Sequence, residues 1–359
     1  VSSLSAAPSA TASRPETPAC ASLPPIAEDI SAAVGATPLV RLTRLFPTCR
    51  AQLFAKLESV NPGGSTKDRP ALAMVQAALA DGTLAPGGTV VESSSGNLGV
   101  ALARTCAVSG LRFVCVVDSR TNATTIATIR ALGGQVEVVD QPDPETGDLL
   151  TARRKRVRAL LEEIPGAVNL NQYANPANPG AHRNGTMAEI AAALEGRVDV
   201  LLAAVSTTGT LSGCTAYLRE HAMSTRTVAV DAQGSALFDG TPAPRPLPGF
   251  GAGMVTELSR SVHPDELVRV APLDAVAGAR LLARREGILA GASTGAIVHA
   301  LAQLPGQLAA DARVALIVHD SGVPYLETIY SDAWVRETLG ASPADIAAAI
   351  TRLEEAARA

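Results

Sequence analysis

From residue 89 onward the chain alternates short β-branched runs with helical patterns, and this alternation restricts the fold more than any other feature. TVVESSS (89–95) reads as a strand entering a polar loop, followed by the helix-like GVALARTCAV. LRFVCVVD (111–118) is a second strand, TTIATIRAL a helix with apolar residues at helical spacing, and GGQVEVVD (133–140) a third strand. DLLTARRKRVRALLEEIPG (148–166) is a long helix stopped by Pro-Gly. VDVLLAAV (198–205) enters another polar loop and helix, and TVAVDA (227–232), LVRVA (267–271) and RVALIVHD (313–320) complete the series. Such repetition means an α/β protein with mostly parallel strands covered on both faces by helices. The strands cluster near 89–140 and 198–320, so two sheets are predicted. With 47% hydrophobic but only 3% aromatic residues, these sheets must be packed by Ala, Val and Leu.

The 359 residues suffice for two lobes. The expected layout is an Ala/Ser/Pro-rich, disordered tail over 1–30, a smaller α/β unit over 48–170, and a larger one built from 31–47 and 171–340. A C-terminal helix over 341–359 begins near Ser342 and is expected to pack on the body or on a partner subunit. The tail lacks the basic start and apolar stretch of a secretory signal; its few acidic residues leave an organelle-transit reading open. A net charge of −4 provides no field for polyanions, so nucleic acid is not an expected partner. No apolar run approaches the roughly 20 residues needed to cross a bilayer, so no membrane partner is expected either. Five cysteines, an odd number without a CxxC pair, argue against a disulfide framework or a metal site and suit the cytoplasm.

In sheets of this type ligands bind beyond the carboxyl ends of strands, where loops run into helix N-termini. ESSSGNLG (92–99) could receive a carboxylate, or could be no more than a helix cap with a glycine turn. STTGTLSG (206–213) offers small residues and the hydroxyls of Thr207, Thr208 and Thr210. It lacks the lysine of a P-loop, so a lone monophosphate fits better than a nucleoside triphosphate. LPGFGAG (247–253) lacks dinucleotide-fingerprint spacing and is expected to be a flexible loop that closes over a site. GASTG (291–295) formally matches a serine-hydrolase elbow, with Asp311 and His319 in the required order. The short spacing leaves little room to return both to Ser293. A serine at a helix start can instead hydrogen-bond a ligand's ring nitrogen.

Lys56, Lys67 and Lys155 are the only lysines in the chain. Lys67 stands in NPGGSTKDR (61–69), a Pro/Gly/Ser loop just before a helical run. A primary amine, unlike a guanidinium, can lose its proton and form a Schiff base with an aldehyde. Joined to a monophosphate cup and a carboxylate loop, this describes a pyridoxal 5'-phosphate site; a surface lysine is the alternative.

GATPLVRL, NPGGSTKDR, ESSSGNLGVALA, NQYANPANPGAH, STTGTLSG, PGFGAG, EGILAGASTGA and DSGVPYLETIY follow one another between residues 33 and 335. In this order they resemble the cysteine synthase/cystathionine β-synthase family of fold type II pyridoxal phosphate enzymes. The resemblance implies a two-domain fold of the tryptophan synthase β type and a homodimer. It further implies that Lys67 holds the cofactor covalently, Asn97 bonds its ring hydroxyl, Ser206, Thr207, Thr208, Gly209 and Thr210 form the phosphate cup, and Ser293 faces the pyridine nitrogen. Ser94, Ser95 and Gln172 would bind the substrate α-carboxylate.

Leu98, Tyr173 and STTGT depart from ordinary cysteine synthases. With YLETIYSDAW, they are most similar to the siderophore-type branch of the family, which joins O-phosphoserine to glutamate toward 2,3-diaminopropionate. The resemblance implies β-replacement on an activated serine, O-phospho-L-serine above all, through an α-aminoacrylate, with an amino-acid amine such as that of L-glutamate as nucleophile and small-molecule amino-acid substrates as the partners. Arg153, Tyr173 and Ser206 would then recognise substrate; the alternative for Arg153 is a solvated helix face shared with Arg154, Lys155 and Arg156. Two further readings stay open: a cysteine synthase using O-acetylserine or O-phosphoserine with sulfide, and a non-catalytic binding or regulatory protein.

Overall fold

The structure, a computed structural model, describes residues 26–358. The expected disordered tail lies outside the described residues up to residue 25. Among the described residues ten strands form two sheets: β1 (Leu39–Leu42), β2 (Gln52–Leu57), β3 (Thr89–Ser93), β4 (Arg112–Asp118), β5 (Gln135–Val139), β6 (Ala167–Val168), β7 (Val200–Ala204), β8 (Arg226–Ala232), β9 (Glu266–Val270) and β10 (Arg313–Val318). The small sheet has the order β5-β4-β3-β6, all parallel. The large one has the order β1-β2-β10-β7-β8-β9, parallel except for β1.

The expected smaller unit, 48–170, contains β2, but that strand belongs to the large sheet. It pairs in register with β10, from Gln52 opposite Arg313 to Leu57 opposite Val318. The partner lies some 260 residues further on, and no local pattern announces such a pairing. The chain enters the small lobe only after β2, through α1 (Asp68–Ala80), whose Met74 and Val75 pack with Leu98 and Leu102 of α2 (Asn97–Val108). With α3 (Ala123–Ala131) these cover one face of the small sheet. Val157 and Leu160 of α4 (Leu149–Glu163) cover the other through Val91, Val114 and Val116.

In the large lobe the two-residue alternation of a strand divides the core cleanly. Val200 and Leu202 of β7 face a layer that includes Val276 and Ala279 from α8 (Pro272–Glu286) and Ile297 from α9 (Ala292–Ala302). Leu201 and Ala203 face Ile190 of α6 (Ala188–Ala193) and Leu211 and Cys214 of α7 (Gly209–Glu220). Few aromatics are needed because the helices approach closely: a Cβ at Gly278 would lie 2.1 Å from the Gly295 carbonyl oxygen. The remaining helices are α5 (Ala177–Ala181), α10 (Asp332–Leu339) and α11 (Pro343–Ala356). The last opens with a reciprocal capping box between Ser342 and Asp345 and lays Ile346, Ala349 and Leu353 on the core beside α8 and α9.

A buried ionic network fixes the start of α1. Arg69 Nε lies 2.7 Å from Glu58 Oε2 and its Nη1 2.7 Å from Glu189 Oε1. Lys56, only 2% exposed, meets Glu189 Oε2 at 2.6 Å and donates to the Thr37 carbonyl. Two flanking cations hold the Glu189 carboxyl down at about 2 despite its partial burial.

Candidate active site

The loops at the carboxyl ends of β3, β7 and β10 meet over the lysine loop and enclose one cleft. Every site residue expected from the sequence lines it except Gly209, which sits in the same turn but faces Asn178.

The three lysines have different surroundings. Lys56 is sealed in the network just described, and Lys155 pairs at the surface with Asp143 at 2.7 Å and Glu145 at 2.9 Å. Lys67 lines the cleft and, among the described residues, has no carboxylate within salt-bridge distance. Burial pushes its amine pKa down, and Asp320 acts in the opposite sense. An amine so placed can reach its neutral, nucleophilic form. The preceding loop is tight: a Cβ at Gly63 would lie 2.3 Å from Asp68 Oδ1, and the Gly63 N–H donates to Asp68 Oδ2.

The 206–210 loop carries β7 into α7. Thr208 takes a left-handed φ of +67° and provides no side-chain cap. Thr207 Oγ1 accepts from the Gly209 N–H at 3.3 Å, and the N–H groups that follow in the first turn of this 12-residue helix are left, among the described residues, without a side-chain partner beside the cleft. Thr207, Thr208 and Thr210 line the same wall. His182, in a π-helical turn over His182–Met187, holds Thr210 Oγ1 at 3.2 Å through Nε2 and Thr186 Oγ1 at 2.9 Å through Nδ1. Burial keeps this imidazole neutral. Ser206 donates to the Gly251 carbonyl, which ties the loop to the 247–253 segment. There Pro248 and Gly249 line the cleft, and the Gly251 N–H donates to Val205 O at 2.6 Å. That segment is therefore fastened to the body at Gly251.

Ser94 combines both readings of its loop. Its Oγ accepts from the Gly99 N–H at 3.0 Å and so caps α2, while its own hydroxyl hydrogen remains for a ligand. Ser95 is exposed at the mouth and Gln172 is buried. Beneath them Glu92 accepts from the Ser93 and Asn171 N–H groups, both at 3.0 Å, and so joins the loop to the segment carrying Gln172 and Tyr173. Burial raises the Glu92 carboxyl to about 7. A group raised in the folded state holds its proton where the unfolded chain has lost it. Its contribution to stability is complete below about 4.5 and is lost as pH rises to about 7. We predict that Glu92→Gln flattens this decline, worth on the order of 3 kcal/mol at most. Denaturant melts at pH 5 and pH 8 check it; an unchanged difference between the two would sink the assignment.

Arg153 is turned inward rather than sharing a solvated face. It is 9% exposed, lines the cleft, and its Nε lies 3.4 Å from Asp118 Oδ2. Arg154 is exposed, and Arg156 pairs with Glu137 and Glu163. Helical periodicity lets only one of these neighbours point at the sheet. Tyr173 also lines the cleft, its phenol pKa raised by burial.

Ser293 stands in the first turn of α9, facing the cleft. The hydrolase alternative fails on geometry: Asp311 precedes β10 and pairs with Arg197, whereas His319 follows β10 at its opposite end. Asp320 and His319 line the cleft beside Lys67, and sequence reasoning gave neither a binding role. Their place at the carboxyl end of an interior strand was the available signal. No helix among the described residues is long and apolar enough to cross a membrane.

Comparison with known proteins gives a consistent picture. The profile of a family described as pyridoxal-phosphate dependent enzyme matches residues 30–320. N-(2-amino-2-carboxyethyl)-L-glutamate synthase from Ralstonia nicotianae is 45% identical over 310 residues, covering 86% of this chain and 91% of that protein. The protein of the same name from Cupriavidus metallidurans is 43% identical over 313 residues, covering 86% and 92%. Among solved structures, O-acetylserine dependent cystathionine beta-synthase from Helicobacter pylori superposes with a TM-score of 0.79 at 28% identity, covering 85% of this chain and 99% of that one. O-ureido-L-serine synthase does so at 0.79 with 34% identity, covering 87% and 99%.

Proposed function

The chain belongs to the pyridoxal-phosphate dependent enzyme family, and from that premise we propose that it condenses O-phospho-L-serine with L-glutamate to give N-(2-amino-2-carboxyethyl)-L-glutamate and phosphate. The β-substituting chemistry is that of its relatives. The observation that carries the reading is one cleft in which Lys67 and the start of α7 meet the Ser94 loop, Gln172, Arg153 and Tyr173.

The residues present fit the cofactor. A buried lysine with no salt-bridge partner suits covalent attachment, and the first-turn N–H groups beyond Gly209 with three threonine hydroxyls suit a phosphate dianion. Asn97 Nδ2 donates one hydrogen to Asp320 and keeps a second for the ring oxygen, while Ser293 offers a hydroxyl to the ring nitrogen. When bound, the cofactor supplies the carbonyl that captures the substrate amine and the ring that takes up charge from Cα.

The protein's own groups do the rest. Ser94, Ser95 and Gln172 hold the substrate α-carboxylate. Lys67, freed as an amine, takes the Cα proton as general base and later returns it. Arg153 meets the phosphate leaving group, which guanidinium matches better than any neutral donor. The Cβ–oxygen bond breaks as phosphate leaves, and the glutamate nitrogen, its ammonium proton given up to solvent, then bonds to Cβ, with Tyr173 and Ser206 shaping the approach. The same reading takes the enzyme to be a cytoplasmic homodimer; light scattering checks the dimer and cell fractionation the location.

The experiment is phosphate release from O-phosphoserine, followed with and without glutamate, with the product identified by mass. Ready turnover of O-acetylserine with sulfide, and none of O-phosphoserine with glutamate, would replace this reading by a cysteine synthase. We predict that Arg153→Met raises the KM for O-phosphoserine about tenfold or more, as loss of a charge-assisted bond does. O-acetylserine, without the dianion, should be affected far less.

A further inference from the structure

We propose that Asp320 is a positioning residue for this chemistry: its single carboxylate, fastened by its main chain to the lysine loop, orients the Asn97 amide and faces the same cleft as Lys67. The inference rests on the roles given above to Lys67 and Asn97.

Asp320 follows β10, is 4% exposed and forms part of the cleft wall. Its Oδ2 accepts from Asn97 Nδ2 at 2.8 Å and from the Tyr325 hydroxyl at 2.7 Å. Its Oδ1 is buried without a hydrogen-bond partner, and a Cβ at Gly291 would lie 2.2 Å from it. The carboxylate is thus boxed against the turn that opens α9. The main chain is fastened as well: Ser65 and Asp320 form an antiparallel bridge, the Thr66 N–H donates to His319 O at 2.7 Å, and the Ser321 N–H donates to Gly64 O at 2.9 Å. One residue is therefore joined to the lysine loop by its backbone and to the small lobe by its side chain.

Two effects follow. A flipped Asn97 amide would set oxygen against carboxylate, so the nitrogen end is fixed toward Asp320 and its second N–H is left for a ligand. The charge effect depends on what else surrounds Lys67. The titratable groups that act on it or are acted on by it are Asp320, His182 and His319. Both imidazoles are buried and neutral, and His319 Nε2 accepts from the Ala204 N–H. Tyr325 and Tyr330, which face Asp320, keep their phenolic protons. Among the described residues Asp320 is the anion that acts on the Lys67 amine, and it holds the proton there longer than burial alone would allow; burial raises its own carboxyl pKa, which the bonds from Tyr325 and Asn97 and the nearby Lys67 oppose.

With only three lysines, amine labelling can be read residue by residue. The test is competitive acylation of the cofactor-free protein from about pH 6 to pH 11, quantified on peptides, with surface Lys155 as internal reference. In Asp320→Asn the labelling midpoint of Lys67 is expected to fall by about one unit or more, with Lys155 unmoved. The asparagine oxygen still accepts from Asn97, so cofactor affinity by equilibrium titration should stay within about threefold. Asp320→Ala should show the same midpoint shift and a loss of about tenfold or more in cofactor affinity. An unchanged Lys67 midpoint in Asp320→Asn overturns the charge role; cofactor bound as tightly by Asp320→Ala as by the parent overturns the orienting role. If the alanine variant fails to fold, the asparagine variant decides the charge role, and Asn97→Ala with its own titration decides the other. No substrate enters these measurements, so an error in the assigned substrates would leave them unaffected.

Discussion

Replacing Lys67 by alanine is expected to reduce turnover by about 10³-fold or more while leaving the fold in place. The expectation rests on its isolation: it is buried on the cleft wall, among the described residues no carboxylate pairs with it, and its amine pKa is pushed down. Removing a buried cation with no paired partner costs the fold little, so the melting temperature should not fall. Lys67→Arg separates charge from chemistry. Guanidinium retains the positive charge but cannot give up its proton to attack a carbonyl, so this variant should be as inactive as the alanine one. Single-turnover phosphate release measures both, and a small primary amine added to Lys67→Ala should restore part of the rate. An arginine variant retaining a tenth of the parent rate would disprove the assigned role.

Gly209→Ala is expected to weaken cofactor binding by about tenfold or more. A Cβ there would lie 2.2 Å from Asn178 Oδ1 and 2.6 Å from its Nδ2. Asn178 is buried, and its Nδ2 donates to Gln172 O at 2.7 Å. Either Asn178 swings away and releases Gln172, or α7 shifts and takes its N–H groups from the cleft. The substitution should therefore raise the substrate KM as well as the cofactor Kd. Asn178→Ala, combined with it, removes the obstructing side chain and should recover part of the loss. Strict additivity of the two changes in a double-mutant cycle would show that the collision is not the cause.

Much of this was legible in the sequence because strand alternation and the loops after strands are local signals. The runs at 89–95, 111–118 and 313–320 announced strands, and the loops beyond β3 and β7 announced ligand contacts. What was illegible was non-local or geometric. QLFAKL is too short and too mixed in burial to declare a place beside β10. ARRKRVR reads as a basic face, and only the direction of the helix relative to its sheet distinguishes Arg153 from its neighbours. Asp320 and His319 were visible as residue types, but the triad order paired His319 with Asp311, a partnership that opposite ends of one strand forbid. The role of His182 depends on a π-helical turn, which no residue pattern in HRNGTM announces.

The place of β2 beside β10 also governs the order in which the enzyme can be made. The small sheet is complete once residue 168 has been synthesised, and its contacts span less than eighty residues. The large sheet stays open until β10 arrives, because its first two strands must wait for the last. Closing that loop costs chain entropy that no earlier contact offsets. During synthesis, then, Lys67 dangles between a finished small lobe and an unfinished large one. Asp320 emerges last of the cleft residues, so the nascent chain has no complete cofactor site to fill until residue 320 has left the ribosome.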